Sequence, residues 1–188
     1  MMNHGGTARL ETERLILRPF HVSDAGAMFR NWAGDPEVTA FLTWPTHVSE
    51  EASRQVLEAW VKNNERPDNY QWAVELKAIG EPIGSLSVVR INHDIDEMEL
   101  GWCIGHAWWG QGIMPEAGRA ALKSLFEEVG VNRVAARHAV NNPKSGRVMQ
   151  KLGMTFEGVL RQASRSNQGI EDVAQYSILA SEYQQNTP

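Results

Sequence analysis

A single cysteine, Cys103, in 188 residues leaves no partner for an intramolecular disulfide and no thiolate set for a cysteine-based zinc site. Long apolar runs are missing too, and none approaches the roughly 20 residues that a bilayer-spanning helix needs. The opening MMNHGGTARLE has no apolar core of the secretory kind, so the cytoplasm is the expected location. Positive charge is not in excess. Lys and Arg total 18 against 23 Asp and Glu, giving a formal net charge of −5. That balance argues against nucleic-acid binding and suits cationic acceptors such as amines or basic peptide tails. The remaining proportions, 42% hydrophobic and 22% charged, are those of a globular protein, and the length suits one domain with a single sizeable core. No internal repeat, low-complexity tract or linker divides it.

The most informative stretch is EMELGWCIGHAWWGQGIMPEAGRAALKSL, from Glu97 to Leu125. Met98, Leu100, Trp102 and Ile104 alternate with Glu97, Glu99, Gly101 and Cys103, the period of a strand. Gly110-Gln111-Gly112 follows, then a helical run led by Pro115, with Ala117, Ala121 and Leu125 at four-residue spacing. A glycine-bearing turn that feeds a helix N-terminus gathers unpaired N–H groups and the positive end of the helix dipole, which suits a phosphate. Neither common nucleotide signature fits. No Lys-Ser or Lys-Thr follows the glycines, and the third glycine of GxGxxG is missing.

Around this stretch the chain reads as alternating strands and helices. Residues 1–9 are expected to form a loose tail, 10–182 the domain, and 183–188 a second tail. Leu15–Arg18 predicts a strand, and Ser23-Asp24 caps a helix bearing Ala27, Met28 and Trp32. Ser49, with Glu50 and Glu51, opens a second helix whose Val56, Leu57, Trp60 and Val61 form an apolar stripe. Strands are predicted at Tyr70–Lys77, Ile83–Asn92 and Arg133–Val140, with Gly130 ending the central helix in left-handed geometry. Asn142, before Pro143, caps a short helix followed by Gly153. Two last strands fall near Thr155–Arg161 and Asp172–Leu179. Such an order predicts one α/β domain with a mixed sheet.

WWGQGIMPEA, then NNPKSGRVMQKLGM, then FEGVLR resemble the GNAT superfamily of acetyl-CoA-dependent N-acetyltransferases, and within it the RimJ/RimL type. The likeness runs from LETERLILRPF at Leu10–Phe20 to the strand ending near Leu179. It implies a mostly antiparallel mixed sheet flanked by helices, whose central strands, matching Glu97–Ile104 and Arg133–Val140, splay to admit the pantetheine arm. It also implies acetyl-CoA as cosubstrate with no metal, and no membrane partner. The acceptor would be an amine: a protein N-terminus, a polyamine or a small molecule. Family members often form homodimers, though no stripe in this chain marks an interface.

Carried over residue by residue, the resemblance assigns Gln111, Gly112, Ile113 and Met114 to the pyrophosphate loop. There the backbone carries the chemistry, and any side chain at 112 would obstruct close approach. Trp109 and Met114 depart from the family's R/Q-x-x-G-x-G/A. Trp102 and Ile104 match the strand that pairs with pantetheine amides. Asn142 and Ser145 match N-x-x-S; Asn142 also suits a helix cap, and Ser145 suits either a cap or the thioester sulfur. The tyrosine that many relatives use to protonate the thiolate is Met149 here, and a thioether cannot donate a proton. Glu99, in the E-x-G-[YW] strand, is the expected base for the acceptor ammonium, acting directly or through water. Phe41 and Trp44, in AFLTWPTHV, are expected over the acceptor, where helix packing and a turn at Pro45 explain them equally well. Glu116, His106, His138 and Cys103 read as structural. The missing tyrosine also suits a rival, a coenzyme A-binding module without turnover; a different acyl-CoA donor is a third reading.

Overall fold

A computed structural model describes residues 2–186. The elements follow in the order β1 (Leu10–Glu11), β2 (Leu15–Pro19), α1 (Ala25–Met28, widening into a π-type turn Phe29–Ala33), α2 (Pro36–Thr39), α3 (Glu50–Asn63), β3 (Gln71–Leu76), β4 (Glu81–Asn92) and β5 (Glu97–Ile104). Then come α4 (Ile113–Ser124, with a second π-type turn Leu125–Val129), β6 (Arg133–Ala139), α5 (Pro143–Lys151), β7 (Thr155–Ser166), β8 (Gly169–Leu179) and α6 (Ala180–Asn186). Among the described residues, eight strands form one sheet in the order β1-β2-β3-β4-β5-β6-β8-β7. Every pairing is antiparallel except β5 with β6. That parallel pair needs a crossover, and α4 supplies it.

Period-two alternation decides which face each side chain covers. Trp72, Val74, Met98 and Leu100 join α4 and α5 in the larger core, while Ala73 and Cys103 join Phe20, Trp32 and Leu57 under α1 and α3. The sheet is thus covered on both faces. Ser49 Oγ accepts from Ala52 N–H at 3.2 Å and so caps α3. Gly130 has φ +76° and ends the helical run in left-handed geometry.

Four local expectations are corrected. Residues 2–8 are docked rather than loose: Met2 is buried, Asn3 N–H donates to Val129 O at 2.8 Å, and the Trp72 indole N–H donates to Ala8 O at 2.8 Å. Helix α4 begins at Ile113, two residues before Pro115, whose missing N–H costs nothing in a first turn. The last hairpin is longer than predicted, because a bulge at Gln162 (φ +49°) shifts the β7 register and pairing resumes at Ser164. Residues 183–186 continue α6, with the Tyr183 ring stacked 4.8 Å from that of Phe126; the rest of the expected tail, 187–188, lies outside the described residues.

Candidate active site

The site begins where two strands part. Gly105 N–H donates to Ile83 O at 2.9 Å. This bond sets the phase of the β4–β5 ladder: residues 101 and 103 face β4, while Trp102 and Ile104 turn their amide groups to the opposite edge. On that edge β6 pairs with β5 only as far as Leu100↔Ala136. Beyond it β6 runs on against β8, from Arg137↔Gln175 to Ala139↔Val173. The splayed gap is therefore present, and Trp102 and Ile104 border it.

At the end of β5 the chain enters the glycine turn. Gly110 and Gly112 have φ +76° and +75°, a region that L side chains avoid. Among the described residues, the N–H groups of Gly110, Gln111, Gly112, Ile113 and Met114 have no protein acceptor. Five unpartnered donors at the start of a 12-residue helix fit a pyrophosphate. Arg14 braces the turn from outside, donating through Nη1 to Gln111 O at 3.0 Å and pairing with Glu116. Trp109 braces it from inside. Its indole N–H donates to Ile104 O at 2.9 Å, the tilted His106 ring lies 4.2 Å from it, and Lys144 Nζ sits 3.7 Å from the ring centroid. A cavity of about 780 Å³ lies against this turn and the start of α5.

Helix α5 is drawn onto β6 by Gly146, where a Cβ would lie 2.6 Å from His138 Nε2. That close approach places Ser145 on the wall of the cavity. Asn142 stands at the N-cap, but its side chain makes no capping bond; the contact to this turn is Ser145 N–H to Asn142 O at 3.2 Å. The cap expected of the Asn142 side chain is thus not formed. Met149 packs in the larger core, 1% exposed, and lines neither cavity.

A second cavity, of about 520 Å³, shares Trp102, Asn142, Ser145 and Phe41 with the first. Its own wall includes Trp44, Arg90, Glu99, Arg137 and Glu171. Glu99 is 2% exposed, and both of its oxygens are committed: Oε2 to Arg90 Nε at 2.9 Å, Oε1 to Arg137 Nε at 2.8 Å. The segment above this cavity is held by Asn167, at the tip of the β7–β8 hairpin. Its N–H donates to Leu42 O at 3.1 Å, and Nδ2 donates to Thr39 O at 2.9 Å and Trp44 O at 2.8 Å. Cys103 lines the seam but is buried beside Ser85 Oγ at 3.3 Å, and burial pushes its thiol pKa up.

Of the residues singled out from the sequence, the fold gathers Trp102, Ile104, Gly112, Ile113 and Met114 around the first cavity and Phe41, Trp44 and Glu99 around the second. Gln111 lines neither; its exposed side chain donates to Ala107 O at 2.8 Å. Arg90, Arg137, Lys144, Asn167 and Glu171 escape a sequence reading. They come from separate strands and turns, with no local spacing to flag them. No described helix is long and apolar enough to cross a membrane.

A family model described as an acetyltransferase (GNAT) domain matches residues 14–155. A ribosomal-protein-serine acetyltransferase of Escherichia coli (strain K12) is 30% identical over 137 residues, covering 72% of this chain and 75% of that protein. The crystal structure of a GNAT-family acetyltransferase from Bacillus anthracis superposes with a TM-score of 0.81 at 26% identity, over 93% of this chain and 100% of that one. The microcin C7 self-immunity acetyltransferase MccE, solved with acetyl-CoA and AMP, reaches 0.80 over 89% of this chain and 93% of its own. At 20% identity that likeness is one of fold.

Proposed function

The chain belongs to the GNAT family of acetyltransferases, and from that premise we propose that it passes the acetyl group of acetyl-CoA directly to a primary amine, with a protein N-terminus as acceptor. One observation carries the reading. Two cavities meet at the seam where β5 and β6 part, sharing Trp102, Asn142 and Ser145. The first offers unpartnered amides to a pyrophosphate, with Lys144 close by; the second offers carboxylate and aromatic walls to an amine. Holding two substrates in line at one seam is worth roughly 7–11 kcal/mol of barrier.

Direct transfer needs no enzyme nucleophile, and the one thiol, Cys103, is held protonated by burial. With Met149 in the core, Ser145 is the residue assigned to supply a proton to the departing thiolate, itself or through a water. Glu99, tied to two guanidiniums, is assigned to holding Arg90 and Arg137 in place rather than to taking a proton itself. The Escherichia coli relative is named for action on a ribosomal protein, which supports a protein acceptor here.

The test is thiol release from acetyl-CoA with peptides bearing free or blocked N-termini, polyamines and small amines. Release that depends on a free N-terminus supports the reading, and Ser145→Ala should then lower kcat by about 10²-fold. Tight coenzyme A binding with no release from acetyl or longer acyl donors, whatever the amine, would leave the binding-module alternative standing instead.

A further inference from the structure

We propose that Glu171 is the group that receives the acceptor's ammonium and takes its proton; the inference rests on the N-acetyltransferase reading above and deepens it. Glu171 sits on β8 and lines the second cavity. Its Oε1 is buried and, among the described residues, has no hydrogen-bond partner. A buried carboxylate oxygen left unpaired is costly, and such groups are retained where a ligand completes them.

Charge balance singles out the same residue. Arg90 pairs with Glu97 and Glu99, Arg137 with Glu99, and Arg133 with Glu97 and Glu157. These three arginines and three glutamates cancel. The charged groups on the cavity wall are Arg90 from β4, Glu99 from β5, Arg137 from β6 and Glu171 from β8. Once the network is closed, Glu171 is the wall charge with no ion-pair partner among the described residues, and its complement is a cation.

The backbone holds Glu171 in place from two sides. Its cross-strand partner is Ser164, where pairing resumes after the β7 bulge, and the bulge is fixed by Gln162 N–H donating to Asp172 Oδ1 at 2.8 Å. At the other side, Asn167 anchors the hairpin tip to the segment carrying Phe41 and Trp44. The carboxylate is therefore carried on a paired strand that lines the second cavity, as positioning of a proton acceptor requires.

The ammonium gives one proton to Glu171, and the freed nitrogen lone pair attacks the thioester carbon. The N–C bond forms and the C–S bond breaks. The nitrogen loses its second proton, the thiolate gains one through Ser145 or its water, and coenzyme A leaves as the thiol. Glu171 then returns its proton to solvent, so one proton is released per turnover.

The test compares full-length wild type with Glu171→Gln, Glu171→Asp and Glu99→Gln, using the best acceptor from the thiol-release panel. Glu171→Gln should lower kcat/KM for the acceptor by about 10²-fold or more, with coenzyme A affinity and Tm unchanged. Glu171→Asp should keep part of the rate. A Glu171→Gln enzyme with wild-type kcat/KM would overturn the assignment and leave the N-acetyltransferase reading intact. Wild type inactive with every amine would overturn both.

Discussion

Arg137 and Glu99 close the seam from opposite strands: the guanidinium Nε of Arg137 lies 2.8 Å from Glu99 Oε1, just past the point where the β5–β6 ladder ends. The same carboxylate holds Arg90 on its other oxygen. Glu99→Gln removes the charge from a buried site, takes away the carboxylate that Arg137 pairs with and leaves Arg90 with Glu97 alone. Losing a partner from a fully buried pair costs about 3–5 kcal/mol, and here water reaches both half-exposed arginines, so about 1–3 kcal/mol is expected. Thermal unfolding should show Tm lowered by several degrees. Acceptor kcat/KM should fall less than it does for Glu171→Gln.

Gly112 opens α4 in the left-handed region, next to the unpartnered amides. Gly112→Ala forces an L side chain into that region at a cost of roughly 1–2 kcal/mol and sets a methyl beside the donors. If the turn relaxes to relieve the strain, the donors disperse. Titration calorimetry should show coenzyme A binding weakened by about tenfold or more, with acceptor KM little changed. Equal affinity for wild type and variant would mean that the pyrophosphate sits elsewhere.

Trp109 joins three parts of the first cavity: the end of β5 through Ile104 O, the glycine turn that follows it, and α5 through Lys144. Trp109→Phe keeps a ring under Lys144 and loses the indole donor; Trp109→Ala loses both. A cation–π contact contributes about 0.5–1 kcal/mol at an exposed site, and the freed carbonyl loosens the turn further. Coenzyme A affinity should therefore drop stepwise, Trp above Phe above Ala. A Phe variant as weak as Ala would assign the whole effect to the indole hydrogen bond.

The sheet was legible because alternation in a strand such as Glu97–Ile104 is read by the core itself: Met98 and Leu100 go to one side, Cys103 to the other. The glycine turn was legible because left-handed backbone at Gly110 and Gly112 demands a particular residue type. What stayed hidden is long-range. Glu99 reads as a free strand carboxylate until β4 and β6 bring Arg90 and Arg137 to it. Glu171 falls just before the predicted strand Asp172–Leu179, and only the longer β7–β8 hairpin carries it to the cavity wall. The capping bond expected of Asn142 failed for a local reason: its φ and ψ of −111° and 70° depart from the extended geometry of a capping residue.

Asn167 offers a test weighted to the acceptor side. Its three donors hold Thr39, Leu42 and Trp44, all more than a hundred residues away, and none touches the glycine turn. Asn167→Ala removes the two side-chain bonds, each contributing about 1 kcal/mol, and frees the segment bearing Phe41 and Trp44. Acceptor KM should rise several-fold, with a smaller loss of coenzyme A affinity because Phe41 and Leu42 also line the first cavity. A parallel loss of both would show that the hairpin tip supports the whole seam rather than the acceptor cavity.

Glu116 predicts how stability responds to acid. Burial pushes its pKa up, but hydrogen bonds from Thr12, from the Arg14 N–H and from the Arg14 guanidinium outweigh that and hold it below the usual carboxylate range. A carboxyl with a depressed folded pKa stabilises the fold above its unfolded value, about 4.3, and that stability is lost as pH falls through the folded value. Glu116→Gln should therefore lower stability at neutral pH by about 1.5–3 kcal/mol, the range for hydrogen bonds to a charged group. The gap between the two proteins should narrow below pH about 4, as the wild-type carboxyl takes up its proton. Thermal unfolding of both proteins across that range measures it. A gap that stays constant into acid would assign the loss to packing at the first turn of α4 instead of to the charge on Glu116.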